Sequence, residues 1–142
     1  MPDLRIVTAL PQSLRPAYEA LLASAGLRDE EDADCTALLS SDSGALLACG
    51  SASGRVLKQI AVAPWAEGDG SCARIVTALL EESARRGVAH PFLYTKPKNA
   101  RLFRSLGFFP VAETADMLMM EHRRGGVERY IASLPALSLI HI

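Results

Sequence analysis

Gly68, Asp69, Gly70, Ser71 and Cys72 are the residues of this chain whose types and spacing point to chemistry. Two glycines one residue apart let the backbone turn sharply and come close to a ligand. An apolar run, Leu57 to Val62, precedes them, and an amphipathic pattern with apolar residues at Ile75, Val76, Leu79 and Leu80 follows. Strand, glycine loop and helix in that order place unpaired amides and the positive end of a helix dipole beside the loop. An anionic diphosphate fits such a seat. A nucleotide P-loop would continue Gly-Lys-Ser/Thr, and a dinucleotide fold would start its glycines directly after the strand. Here Ala63-Pro64-Trp65-Ala66-Glu67 intervenes and no such lysine follows. Taken alone, the glycine pair reads equally well as a tight turn.

Five cations, Arg74, Lys96, Lys98, Arg101 and Arg104, are available to phosphates, although Arg101 and Arg104 read better as a solvated helix face. Asn99 stands where it can cap a short helix and also hydrogen-bond a ligand. Tyr94 carries a titratable hydroxyl but lies in an apolar run that reads as core. Cys35, Cys49 and Cys72 have no neighbouring base to activate them, and His90 and His122 flank strands. Trp65 either packs over the glycine loop or lines a ligand channel.

The totals bound the answer. A chain of 142 residues is one domain by length, and 49% hydrophobic with 22% charged residues is an ordinary globular composition. A net charge of −1 leaves no electrostatic footprint for nucleic acid or an anionic membrane surface. Three widely spaced cysteines, without a C-x-x-C pair or a nearby histidine, argue against a disulfide framework or a metal site and for a reducing cytoplasm. Asp3 and Arg5 interrupt any secretory h-region, and no apolar run is long enough to span a bilayer.

The elements that must position the loop follow from the pattern. Leu4 to Leu10 reads as a first strand ended by Pro11, and Ser13 as the cap of a helix that closes at Gly26. Five acids between Arg28 and Asp34 read as a solvated loop, with a rim that repels acidic ligands as the functional alternative. Cys35 to Ser40 and Ala45 to Ala52 form a hairpin across Ser41 to Gly44, and Ser53-Gly54-Arg55 turns the chain into the Leu57 strand. After the central helix, ended by Gly87, Pro91 to Thr95 reads as a buried strand and Ala100 to Leu106 as a short helix ended by Gly107. Phe108 to Thr114 and Met117 to Glu121 read as a strand pair, Arg123 to Gly126 as a break, and Val127 to Leu134 as a last helical stretch. The order β-α-βββ-α-β-α-ββ predicts an α/β fold with a mixed sheet and helices on its faces.

Two stretches carry a resemblance. Ile60-Ala61-Val62-Ala63-Pro64 followed by Glu67 to Cys72 resembles the β-strand and Gln/Arg-x-x-Gly-x-Gly/Ala loop of the GNAT acyltransferases, which bind acetyl-CoA. Asn99-Ala100-Arg101-Leu102-Phe103-Arg104-Ser105-Leu106-Gly107-Phe108 is similar to the Asn, helix and Leu-Gly-Phe signature of the same family. Over nearly the whole chain, through LYTKPKNARLFRSLGFFPV and MEHRRGGVERYIASL, the likeness is to the N-terminal domain of the citrate lyase ligase family. That resemblance implies a GNAT-like acyl-CoA-binding domain over residues 1–134 and a non-matching tail over 135–142. It also implies ATP chemistry only through a second, nucleotidyltransferase domain absent here, and the acyl carrier protein of citrate lyase as partner.

What the resemblance implies residue by residue is an acyl-CoA site. Main-chain groups of Ile60, Ala61 and Val62 would pair with the pantetheine arm and polarise the thioester carbonyl. The loop Gly68, Asp69, Gly70, Ser71 and Cys72 would hold the diphosphate, chiefly through the amides of Gly68, Gly70 and Cys72. Asn99 and Phe103 complete the expected set. Three departures stand out: Glu67 replaces Gln or Arg, Cys72 replaces Gly or Ala, and Phe103 lies where many members carry a tyrosine that protonates the leaving thiolate. The activity expected is acyl transfer to an amine or thiol, with a non-catalytic acyl-CoA-binding or carrier-docking module as the alternative.

Overall fold

A computed structural model describes residues 2–122 of the chain. The break at Arg123, the helix over 127–134 and the tail over 135–142 lie outside the described residues. The chain divides into two compact units, Met1–Val88 and Ala89–Ile142. The observed element order is the expected one, β-α-βββ-α-β-α-ββ, with short 3-10 turns added.

The first unit is an antiparallel meander with helices on both faces. β1 (Asp3–Val7) pairs with β2 (Cys35–Ser40), β2 with β3 (Leu46–Ser53), and β3 with β4 (Val56–Val62). α1 (Arg15–Ser24) buries Tyr18, Leu21 and Leu22, and α2 (Ser71–Arg85) buries Ile75, Val76 and Leu79. α2 sits on β3 because β3 makes room for it. A Cβ built on Gly50 would lie 2.6 Å from Ile75 Cγ2 and 2.9 Å from Leu79 Cδ1, so only glycine permits this approach. Ser51, next along the strand, points to the opposite face and shares a 2.9 Å hydrogen bond with Thr36. With helices on both faces, β2 and β3 are buried almost throughout rather than on alternate residues.

Two sequence expectations are corrected here. β1 stops at Val7, not Leu10, because its ladder with β2 ends at the Val7–Thr36 pair. Ser13 does not cap α1; it lies in a 3-10 turn, Gln12–Leu14, and α1 starts at Arg15 with Pro16 in its first turn and no side-chain cap. The acidic run is the solvated loop expected, with Glu30, Glu31, Asp32 and Asp34 exposed, and several of its carboxylates find partners. Asp29 accepts from Arg15 at 3.0 Å, Glu30 and Asp32 accept from Lys58 at 2.7 and 2.5 Å, and Asp34 accepts from the Gly54 amide at 2.7 Å. Its charge is thus partly neutralised, and its side chains tie it to α1 and β4.

In the second unit β5 (Phe92–Thr95), β7 (Leu118–His122) and β6 (Phe108–Glu113) form an antiparallel set in that spatial order. α3 (Ala100–Ser105) leads into β6 through Gly107, whose φ of 94° lies in the left-handed region. The Leu-Gly-Phe signature therefore has a packing meaning. Gly107 reverses the chain, its α-carbon sits under the His122 ring, and buried Phe108 packs edge-on against Phe103 and His122. β5 is not the fully buried strand expected: Leu93 and Thr95 are buried, whereas Tyr94 is 56% exposed and edge-on to Phe92.

Candidate functional site

The expected anion seat lies wholly within the first unit and begins with an irregularity in β4. The β3–β4 register pairs Cys49 with Ala61 and Ser51 with Lys58, so Gly50 alone faces both Gln59 and Ile60. This is a β-bulge, and Gln59 adopts φ 55° to make it. The buried Gln59 amide is engaged at both ends, its nitrogen donating to Arg28 O at 2.6 Å and its oxygen accepting from the Tyr18 hydroxyl at 3.4 Å. Beyond the bulge, Ile60 turns toward the α2 face, with its Cγ1 3.3 Å from the position of a Gly50 Cβ, while Ala61 is buried and Val62 half-buried.

After β4 a short turn delivers the chain to the glycine loop. The Ala63 amide donates to Leu47 O at 2.8 Å, and the Ala66 amide closes the 3-10 turn Pro64–Ala66 onto Ala63 O at 2.8 Å. Gly68 and Gly70 then take φ of 85° and 89°, and Gly70 is the residue that opens α2. A Cβ on either glycine would meet nothing within 4 Å, so the loop faces open space. The helix ladder starts with Arg74 N donating to Gly70 O at 3.1 Å, which leaves the first-turn amides outside it. Among the described residues, the amides of Gly68, Gly70 and Cys72 meet no acceptor.

Ser71 behaves differently from its neighbours. Its amide donates to Asp69 Oδ1 at 2.9 Å and its hydroxyl donates to the same oxygen at 2.5 Å. Those two bonds hold the Asp69 carboxyl below the usual aspartate range. Ser71 itself is buried, so the structure turns two of its polar groups inward, onto a neighbouring side chain. Sequence reasoning missed this pairing, although an aspartate two residues before a helical serine is a familiar Asx arrangement and was readable. The Gln59 bulge had no comparable signal.

Glu67 is exposed and pairs with no cation among the described residues; Arg74 is exposed as well. Asn99 and Phe103 lie in the second unit. Asn99 makes no side-chain cap on α3, and its side-chain nitrogen donates to Thr95 Oγ1 at 3.0 Å. Phe103 is buried and its ring packs on Phe108 at 6.0 Å. Lys96, Lys98, Arg101 and Arg104 are all exposed. All three cysteines are free thiols, and burial raises each of them above the usual thiol value, Cys49 to about 12. Raised thiols are poor nucleophiles at neutral pH. Among the described residues no cluster of His, Cys, Asp and Glu could hold a metal ion, and no helix is long and apolar enough to cross a membrane.

The architecture is that of the GNAT acyltransferases. An acyl-CoA N-acyltransferase from Pseudomonas aeruginosa superposes with a TM-score of 0.73 at 14% identity, covering 86% of this chain and 99% of that one. An N-acetylglutamate synthase from Neisseria gonorrhoeae, solved with coenzyme A and N-acetyl-glutamate, gives 0.66 at 17% identity over 85% of this chain and 35% of the synthase. In sequence the chain is similar to citrate (pro-3S)-lyase ligase of Klebsiella pneumoniae, 38% identical over 105 residues. That match takes in 72% of this chain and 31% of the ligase, so the chain spans about a third of its relative's length. No family model matches the chain.

Proposed function

We propose that this chain is the acyl-CoA-binding, acyltransferase-like part of a citrate lyase ligase. The observation that carries the reading is the pair of left-handed glycines at the start of α2, open to solvent, with the amides of Gly68, Gly70 and Cys72 unbonded among the described residues. Those amides would receive the diphosphate, and Ile60, Ala61 and Val62 would lie along the pantetheine arm. Asp69 and Ser71 belong to the loop as its internal brace, and the diphosphate would approach past them. In the second unit the Asn99 side chain braces Thr95 and the buried Phe103 ring serves the core of that unit.

The reaction this supports is acyl transfer. An acceptor amine or thiol forms the new bond to the thioester carbonyl carbon as the bond from that carbon to sulfur breaks, and the acceptor gives up its proton to water. The departing thiolate, whose conjugate thiol has a pKa of about 8.5, takes a proton from water, because Phe103 has no hydroxyl to offer. In the finer form of the proposal the acceptor is the prosthetic-group thiol on the acyl carrier protein of citrate lyase, and ATP and acetate are handled by the remaining part of such a ligase.

Phe103 and Glu67 favour a second reading, in which the same site binds acyl-CoA or presents the carrier protein without chemistry of its own. Two measurements separate them. Acetyl-CoA is expected to raise the melting temperature in proportion to ln(1 + [L]/Kd). Acetylation of a phosphopantetheine thiol or an amine then supports the transferase. A thermal shift with no transfer supports the binding module, and the absence of any shift with any CoA species refutes both.

A further inference from the structure

Trp65 is the single tryptophan of the chain and it is 67% exposed. The backbone that carries it is held in place. The turn that carries it is fixed at both ends, since Ala63 and Ala66 are buried and their amides are bonded to Leu47 O and Ala63 O. Pro64 restricts the backbone just before it. Among the described residues no aromatic ring packs against the indole. Gly68 follows three residues later, so the two α-carbons are at most about 11 Å apart. A nucleoside extends a comparable distance from its own diphosphate.

We propose that Trp65 is the stacking platform for the nucleobase of the ligand whose diphosphate is received at residues 68–72. The inference rests on the acyl-CoA reading above and adds to it the residue that recognises the adenine end. A rigid turn that displays an indole next to an anion seat suits a ligand with a flat aromatic base tethered to phosphates. Stacking requires a face and no hydrogen-bond pattern, and an indole supplies the larger face of any side chain.

The lone tryptophan is its own reporter. Coenzyme A is expected to quench its emission, and 4′-phosphopantetheine, which lacks the nucleoside, is expected to leave it unchanged. Trp65→Ala should weaken coenzyme A binding by about 5-fold to 100-fold in calorimetry, the range lost when a base–aromatic stack is removed. The same change should leave phosphopantetheine affinity within about twofold, and Trp65→Phe should recover much of the loss. Coenzyme A binding that is indifferent to Trp65→Ala overturns the stacking role while leaving the loop reading intact. Equal weakening of both ligands also overturns it, because Trp65 would then only shape the turn. If the unaltered chain binds neither ligand, the loop reading falls and the stacking role falls with it. Emission that responds only to self-association, followed by sedimentation, makes Trp65 a protein contact and likewise overturns the proposal.

Discussion

Lys58 and Gln59 are consecutive residues of β4, yet both side chains reach the same segment. Lys58 Nζ donates to Glu30 and Asp32, and Gln59 Nε2 donates to Arg28 O. In a regular strand they would point to opposite faces. The bulge opposite Gly50 removes that alternation, at the cost of a positive φ at Gln59. A glutamine there is tolerated because its amide satisfies both the Arg28 carbonyl and the Tyr18 hydroxyl.

Replacing Gln59 separates those two contributions. Gln59→Ala loses both hydrogen bonds and keeps the strained backbone, and is expected to cost about 1–3 kcal/mol in urea unfolding. Gln59→Gly loses the same bonds but relieves the left-handed strain, so it should be the more stable of the pair by about 1 kcal/mol. That order reverses the usual strand preference. Ala exceeding Gly would mean that the bulge is absent in solution.

The Lys58 tether makes stability depend on acid. Its hydrogen bond to Asp32 holds that carboxyl below its ordinary value of 3.8. A group with a lowered folded-state pKa gives its full stabilisation above the unfolded value and loses it as pH falls through the folded value. Thermal melts should therefore be flat with respect to this pair at neutral pH and decline below about pH 4. Lys58→Met is expected to lower Tm at pH 7 and to flatten the acid limb, so that the two proteins converge as the pH falls through the lowered Asp32 value. An acid limb unchanged by the substitution would sink the assignment.

How much of this was legible depends on the reach of the forces involved. Local signals read well: the hairpin at Ser41 to Gly44, Gly54, Gly70 opening α2 and Gly107 ending α3 are each written in short-range backbone preferences. The apolar stripe Ile75, Val76, Leu79 gave the buried face of α2. What the sequence left unread is non-local. Nothing near Leu10 says that β1 must stop where its partner stops, and nothing in an acidic run says that Lys58, some 28 residues from Glu30, will neutralise it. Tyr94 looked like core because its neighbours are apolar, but a strand's two faces differ only in what packs against them. Of the site, the glycine loop and the strand before it were readable, the Asx pairing of Asp69 with Ser71 was readable but missed, and the Gln59 bulge had no signal in the sequence.

Asp69 invites a test in which binding and stability move in opposite directions. Its carboxylate lies beside the amides proposed to receive a diphosphate and occupies both donors of Ser71. Asp69→Asn removes the charge but keeps an oxygen for Ser71, and should raise coenzyme A affinity by about threefold to tenfold at low salt, less at high salt. Asp69→Ala also frees the Ser71 amide and hydroxyl; it should bind at least as tightly while melting at a lower temperature, as the start of α2 loses its acceptor. Calorimetry and thermal melts on the two variants decide it. Weaker binding in both would show that Asp69 orients the loop for its ligand and does not compete with it.

Gly107 offers the sharpest test of the second unit. Its φ of 94° disfavours any side chain, and a Cβ there would come within 2.8 Å of His122 Nε2, the ring that also packs on Phe108. Gly107→Ala thus combines backbone strain with an overlap against a ring wedged in place, and is expected to destabilise by about 2–4 kcal/mol. His122→Ala alone removes the Phe108 contact and should be mildly destabilising. Combined, the two should cost less than their sum by about 1 kcal/mol, because the shortened residue 122 no longer meets the added methyl. Additive costs in chemical denaturation would mean that the glycine is required for its backbone angle alone, and that the imidazole does not press on it.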